Sequence, residues 1–294
     1  MNKSQFLKLL GPKTTRPKLK PKIIKRVNSK KYILEKVSYL VEKNERVNSY
    51  FFLPKTKITT PVVVCHHQHA SRYDLAKSEI AGIKGSKSLC YAKEIAERGI
   101  ATLAIDAIGF EERNKLKKNW WGVEYFEMAS RIINGKTLLE KTLSDLSAAI
   151  DYVTTRSEVD NKRIGFIGHS YGGRMACILP AYDKRVKVSV SNCYARQLKN
   201  SLDINTKTRI PMELVIPNIL KFGDFSDLLK LSKDCNILLS ISKKDKWSQD
   251  ATEIYQKTKK FFKKKNLHLK KWSSGHSFSK KMRMYSYKYI EKFI

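Results

Sequence analysis

Along residues 32–41 and 47–54, apolar and polar positions alternate in runs rich in Tyr, Phe, Val, Ile and Leu, with Lys43-Asn44-Glu45-Arg46 between them. That pattern predicts two strands joined by a turn. The pattern then changes. Residues 61–67 (Pro-Val-Val-Val-Cys-His-His) and 100–106 (Ile-Ala-Thr-Leu-Ala-Ile-Asp) are almost continuously apolar, as strands buried on both faces must be. A helix is predicted over 88–98, closed by Gly99 in the place where a left-handed residue ends a helix. Leu139, Leu143, Leu146, Ile150 and Val153 recur at helical spacing and mark one apolar face of a long helix. Further strands are predicted over 162–167, 186–191, 236–242 and 267–272. Helices are predicted from 174, over about 249–264, and over 279–294.

Strands alternating with helices after an opening hairpin imply an α/β fold, a mostly parallel central sheet flanked by helices on both faces. One catalytic domain over residues 29–294 is expected, without internal repeats. Two long segments, 110–136 and 194–233, interrupt the alternation at strand C-terminal ends. Ligands of open α/β sheets bind there, so both are expected to act as a cap over a pocket. Residues 1–28 hold Pro12, Pro17 and Pro21 among many lysines and read as a basic N-terminal arm, extended, mobile or wrapped over the surface.

Composition narrows the classes. Hydrophobic residues make up 41% of 294, enough for a sizeable core. No apolar run reaches membrane-spanning length and the N-terminus has no secretory apolar segment, so a cytoplasmic protein is expected. Cys65, Cys90, Cys177, Cys193 and Cys235 are odd in number and scattered, which suits reduced thiols. The net charge of +32 suggests nucleic acid, but only 14 of the 59 basic residues are Arg and the lysines spread along the whole chain. Solvated lysine faces account for this, and nucleic-acid binding is not expected as the primary role.

Candidate chemistry centres on Gly168-His169-Ser170-Tyr171-Gly172-Gly173. This G-x-S-x-G pattern lies between a predicted strand and a predicted helix, the context of a nucleophile elbow. Ser170 there would stand on a strained turn with its Oγ above the sheet, and glycines two residues to either side would avoid collisions. A serine nucleophile needs a base and an acid that orients it. His276, in the loop after strand 267–272, is the expected base; His268 lies inside that strand and reads as structural. Asp245, just after strand 236–242, is the expected acid, with Asp250 as a competitor that looks like a helix cap. An oxyanion hole would take the N–H of Tyr171 and that of His69, with Gln68 as the alternative. His66, His67 and His69 also have zinc-ligand spacing, with Asp74 or Asp106 as a third ligand, so a metallohydrolase stays open. A third reading is a catalytically inactive fold that binds a ligand.

Four stretches together resemble the dienelactone hydrolase and acetyl xylan esterase-like branch of the α/β-hydrolases. They are the run from Val62 to His69, Tyr91-Ala92-Lys93-Glu94-Ile95-Ala96-Glu97-Arg98-Gly99, Asp106-Ala107-Ile108-Gly109-Phe110-Glu111-Glu112-Arg113, and the elbow. Residues 223–229 (Gly-Asp-Phe-Ser-Asp-Leu-Leu) also fit that branch. The similarity covers residues 32–294. It implies the α/β-hydrolase fold and hydrolysis of a small-molecule carboxylic ester with no cofactor, and the serine elbow makes a metal unnecessary. Two departures stand out: dienelactone hydrolases proper carry a cysteine nucleophile where this chain has Ser170, and many relatives have His-Gly where this chain has His67-Gln68. The elbow is also similar to that of prolyl oligopeptidases, but the 161 residues before Lys162 leave no room for their propeller. Arg113 could meet an acidic substrate or belong to a buried network with Asp106 and Glu111. Trp120, Trp121, Trp247 and Trp272 could line a pocket or be core.

Overall fold

The computed structural model describes all residues except 57, 118–120, 207, 264 and 265. In chain order its elements are α1 (Lys3–Leu10), β1 (Lys22–Asn28), β2 (Tyr32–Glu42), β3 (Glu45–Pro54), β4 (Thr60–His66), α2 (Lys77–Ile80), α3 (Tyr91–Ala96) and β5 (Ala101–Ile105). There follow α4 (Gly122–Ile133), α5 (Leu138–Thr154), β6 (Val159–His169), α6 (Tyr171–Tyr182) and β7 (Val186–Asn192). The last part holds α7 (Ile219–Phe222), α8 (Phe225–Lys230), β8 (Asn236–Ser242), α9 (Ala251–Thr258), β9 (Leu267–Trp272) and α10 (Lys280–Phe293).

These strands form one nine-stranded sheet in the order β1-β2-β3-β5-β4-β6-β7-β8-β9. The pairs among β1, β2, β3 and β5 are antiparallel, and β5, β4, β6, β7, β8 and β9 run parallel. Apolar residues on alternate faces of the buried strands feed two cores. One packs Val62, Val64 and Phe166 against α1, α5, α6, α8 and α9. The other packs Val63, Cys65 and Ile167 against α3 and α10. The expected α/β architecture is therefore present, with every parallel strand presenting its C-terminal end to the same rim.

Three local differences from the sequence reading have physical causes. The basic arm is not merely extended: α1 buries Phe6 and Leu10 in the larger core, and β1 adds an antiparallel edge strand although all seven of its residues are exposed. The helix expected over 88–98 is shorter, a single 3-10 turn at Lys87–Leu89 followed by α3, because Cys90 leaves helical geometry between them. Both cap segments hold structure of their own. The first contains α4, and the second contains α7, α8 and a 3-10 turn at Met212–Leu214 that packs against α4.

Candidate active site

The elbow has the strained geometry its glycines imply. Ser170 sits between β6 and α6 at φ 56°, ψ −105°, a left-handed φ that a side-chain-bearing residue adopts only under constraint. A Cβ on Gly168 would come within 2.2 Å of the Gly172 carbonyl carbon, and one on Gly172 within 2.1 Å of the His66 carbonyl oxygen. The turn is locked from the neighbouring strands. Ser170 N donates to the Asn192 carbonyl at 2.8 Å, and Gly172 N donates to the His67 carbonyl at 3.0 Å. Tyr171, as the first residue of α6, has an N–H ahead of the helix's own ladder.

Across the rim, Asp245 lies in the turn just after β8 and the loop after β9 carries His276. Their side chains meet, with His276 Nδ1 2.9 Å from Asp245 Oδ1. The carboxylate also accepts the N–H of Trp247 at 3.0 Å and the hydroxyl of Ser248 at 2.6 Å. Burial alone would raise the Asp245 pKa; hydrogen bonding from His276 and that ring's charge outweigh it and hold the carboxyl below its usual range. With Nδ1 donating to Asp245, the Nε2 of His276 is left as the acceptor. Asp250 is elsewhere: it lies before α9 without capping it through its side chain, and instead meets Arg196 at 3.3 Å and the N–H of Gln197 at 2.8 Å. His268 packs edge-on against Tyr289, as a structural histidine does.

Residues that the sequence reading passed over tie the elbow to this pair. The His169 ring lies 4.8 Å from that of His276. Asn192 Nδ2 donates to His169 Nδ1 at 2.8 Å and to the Ser277 carbonyl at 3.1 Å. Burial, then the charge of His276, push the His169 pKa down to about 3, so it stays a neutral plate beneath the other ring. Cys193, at φ 55°, packs behind with its thiol on the Ser277 carbonyl at 3.2 Å.

The histidine loop is committed to its own structure. His67 Nε2 accepts the Ala107 N–H at 3.0 Å, so its Nδ1 carries the proton and donates to the Gln68 carbonyl at 2.7 Å. His69 Nδ1 accepts the Ser71 N–H at 3.0 Å, so its Nε2 donates to Glu124 Oε2 at 2.8 Å. The ring nitrogens a zinc ion would need are therefore used, and the histidine cluster does not converge as a ligand set. Among the described residues, the grouping close enough for metal ligation is Cys193, Asp245 and His276, with ligand atoms within 4.8 Å. The hydrogen bonds above already occupy those three groups. The backbone N–H groups of Gln68 and His69 have no acceptor among the described residues.

Both cap segments are pinned to this rim by buried carboxylates. Glu124 of α4 accepts from His69 and, at 2.8 Å, from the Tyr73 hydroxyl. Glu213, in the turn before α7, pairs with Arg174 of α6, whose guanidinium stacks 5.0 Å from the rings of Tyr171 and Tyr194. Of the two readings of Arg113, the buried network is the one present and the substrate contact is not: the guanidinium is buried, binding Glu45 at 2.5 Å, Asp145 at 2.6 Å and the Asp106 carbonyl at 2.8 Å. Asp106 and Glu111 are drawn together by the buried Lys77 at 2.5 and 2.9 Å. Trp121 is half-exposed at the start of α4 against Tyr125, and Trp247 lies partly buried beside Asp245, near Tyr194. Trp272 is structural, its Nε1 donating to Ser240 at 3.0 Å, and Trp120 lies outside the described residues.

Residues 48–217 match the model of the dienelactone hydrolase family. The chain is 30% identical over 233 residues to the Bacillus subtilis (strain 168) protein named "Putative hydrolase YtaP", covering 78% of this chain and 75% of that one. Its fold is similar to that of an acetyl xylan esterase from Paenibacillus sp. R4, with TM-score 0.68, 18% identity and full coverage of both chains. A glucuronoyl esterase from Solibacter usitatus is alike at TM-score 0.68 and 14% identity, covering 98% of this chain and 91% of that one. The elbow, the α/β sheet and the family match agree: the chain belongs to the dienelactone hydrolase family and is a carboxylesterase-type α/β-hydrolase.

Proposed function

We propose that this protein hydrolyses carboxylic esters through a Ser170 acyl-enzyme, with His276 as base and Asp245 as its orienting acid. The observation that carries the reading is the strained Ser170 elbow on the same rim as the His276–Asp245 pair at 2.9 Å. Ser170 Oγ makes no hydrogen bond among the described residues, and a bound ester has to bring it onto His276 Nε2. Oγ then attacks the carbonyl carbon while its proton passes to Nε2. The oxyanion is held by the N–H of Tyr171 and that of His69, or of Gln68 in its place. Nε2 returns the proton to the leaving alcohol, and a water activated by the same nitrogen releases the acid and frees Ser170.

Acetyl esters are the first substrates to test, because structural neighbours include acetyl xylan esterases. Trp121 and Trp247, beside the rim, are proposed to flank the ester. A panel of p-nitrophenyl esters of increasing acyl length, with acetylated xylose alongside, tests this. The reading expects turnover highest for acetyl and insensitive to chelators. Turnover abolished by a chelator and restored by zinc would overturn it.

A further inference from the structure

At the opposite end of the sheet, α1, the start of β6 and the turn between α6 and β7 border an open cavity of about 800 Å³. Seven of the fifteen residues that line it are Lys or Arg, against 59 of 294 in the whole chain. General lysine richness therefore does not account for it. The acids of this region are already satisfied without the lysines. Asp183 is held by Arg185 at 2.6 Å and Ser147 at 2.8 Å, and Glu140 by Thr14 and Tyr182. Asp151, next to the cavity, is held by Arg16 at 2.9 Å and Arg185 at 2.7 Å.

That leaves Lys3, Lys13, Lys162, Lys184 and Lys187 around one cavity, none of them in an ion pair among the described residues. Lys3 shows the consequence. Burial and the charge of Lys184 hold its ammonium below the usual lysine range, against a smaller opposing pull from Asp183. Like charges brought together in a concave, partly desolvated place favour an anion. An adjoining cavity of about 550 Å³ shares Lys3, Lys184 and Lys187 and continues the basic surface. Leu7, Leu10 and Tyr182 add an apolar and aromatic part to the wall.

We propose that this cavity binds a phosphorylated small molecule, its phosphates among these five lysines and its ring or apolar part against Leu7, Leu10 and Tyr182. Five cations suit several phosphate charges better than one carboxylate, and the volume is that of a nucleotide-sized ligand. The site is separate from Ser170. Lys162 precedes and Ser170 follows the regular stretch 164–169 of β6, which alone spans roughly 16 Å at strand rise, so its occupancy does not depend on the hydrolytic reading.

Calorimetric titration of the full chain at physiological salt, with ATP and with inorganic tripolyphosphate as probes, tests the proposal. ATP should saturate one site per chain, and tripolyphosphate should bind the same site more weakly. The double variant Lys3→Gln/Lys184→Gln should weaken ATP binding by about tenfold or more. A control that removes the same charge from α10, Lys280→Gln/Lys281→Gln, should change it less than about twofold. If the first variant does not fold, as judged by its melting curve, Lys13→Gln/Lys162→Gln serves in its place, since both side chains are exposed. Absence of saturable ATP binding, or equal weakening in variant and control, would overturn the proposal. So would tight binding of a short single-stranded DNA that ATP cannot displace, which would make the groove a nucleic-acid surface.

Discussion

Glu124 illustrates what a single residue does here. It is almost fully buried, sits on a cap helix, and holds the ring of His69, the residue whose backbone N–H is proposed to steady the oxyanion. The loop it steadies is strained, with Ala70 at φ 47° and Ser71 at φ 53°. Glu124→Leu should therefore lower kcat by about 10- to 100-fold while KM changes little, because a displaced donor weakens the transition state more than the bound ester. Glu124→Gln should recover most of the loss, since its amide oxygen can still accept from His69 and Tyr73. Steady-state kinetics of the two variants decide; equal losses in both would show that packing alone is at stake. The link joins residues 55 apart in sequence, so no local pattern announced it. Asp245 and His276 were legible because each follows a clear strand. His169, Asn192 and Cys193 were not, because their roles depend on where β6 and β7 place them side by side. Arg113 stayed ambiguous in the sequence because an arginine after a strand end fits a substrate contact as well as a buried network.

At the scale of elements, the parallel strands were the most legible part. Apolar runs buried on both faces and closed by turn residues leave little choice, and β9 matches its predicted residues 267–272. β1 and α4 were hidden for opposite reasons. β1 buries nothing, so its sequence carries no alternation to read. The inner side of α4 is capped by a buried carboxylate, and Phe126 and Ile133 on its outer side are exposed, which inverts the usual signal. The elbow depends on the close approach of α6 to β4, and Gly172→Ala tests that approach. Its Cβ would meet the backbone at His66, which cannot yield as a flexible side chain would. Denaturant melts should show a loss of at least about 2 kcal/mol. Gly275→Ala, with nothing within 4 Å, should change stability by less than about 0.5 kcal/mol. Equal effects would mean that the elbow is not tightly packed.

For the whole molecule, buried histidines tie stability to pH. Burial, partly opposed by the hydrogen bond to the Gln68 carbonyl, pushes His67 down to about 4 from an ordinary value of 6.5. Between those values the unfolded chain takes up a proton that the folded chain refuses, so stability falls as pH drops through the window. The full effect from His67 is roughly 3 kcal/mol. Chemical denaturation at a series of pH values should show this decline, and His67→Gln should make it shallower; an unchanged slope would contradict the assignment.

The same body carries the proposed hydrolytic rim and, at the other end of the sheet, the basic cavity. The central claim concerns the rim, and labelling by a fluorophosphonate probe tests it most directly. The native chain should label on Ser170 and the Ser170→Ala variant should not, with ester turnover lost in parallel. Labelling of the variant at the native rate, or ester turnover that survives the substitution, would contradict the account.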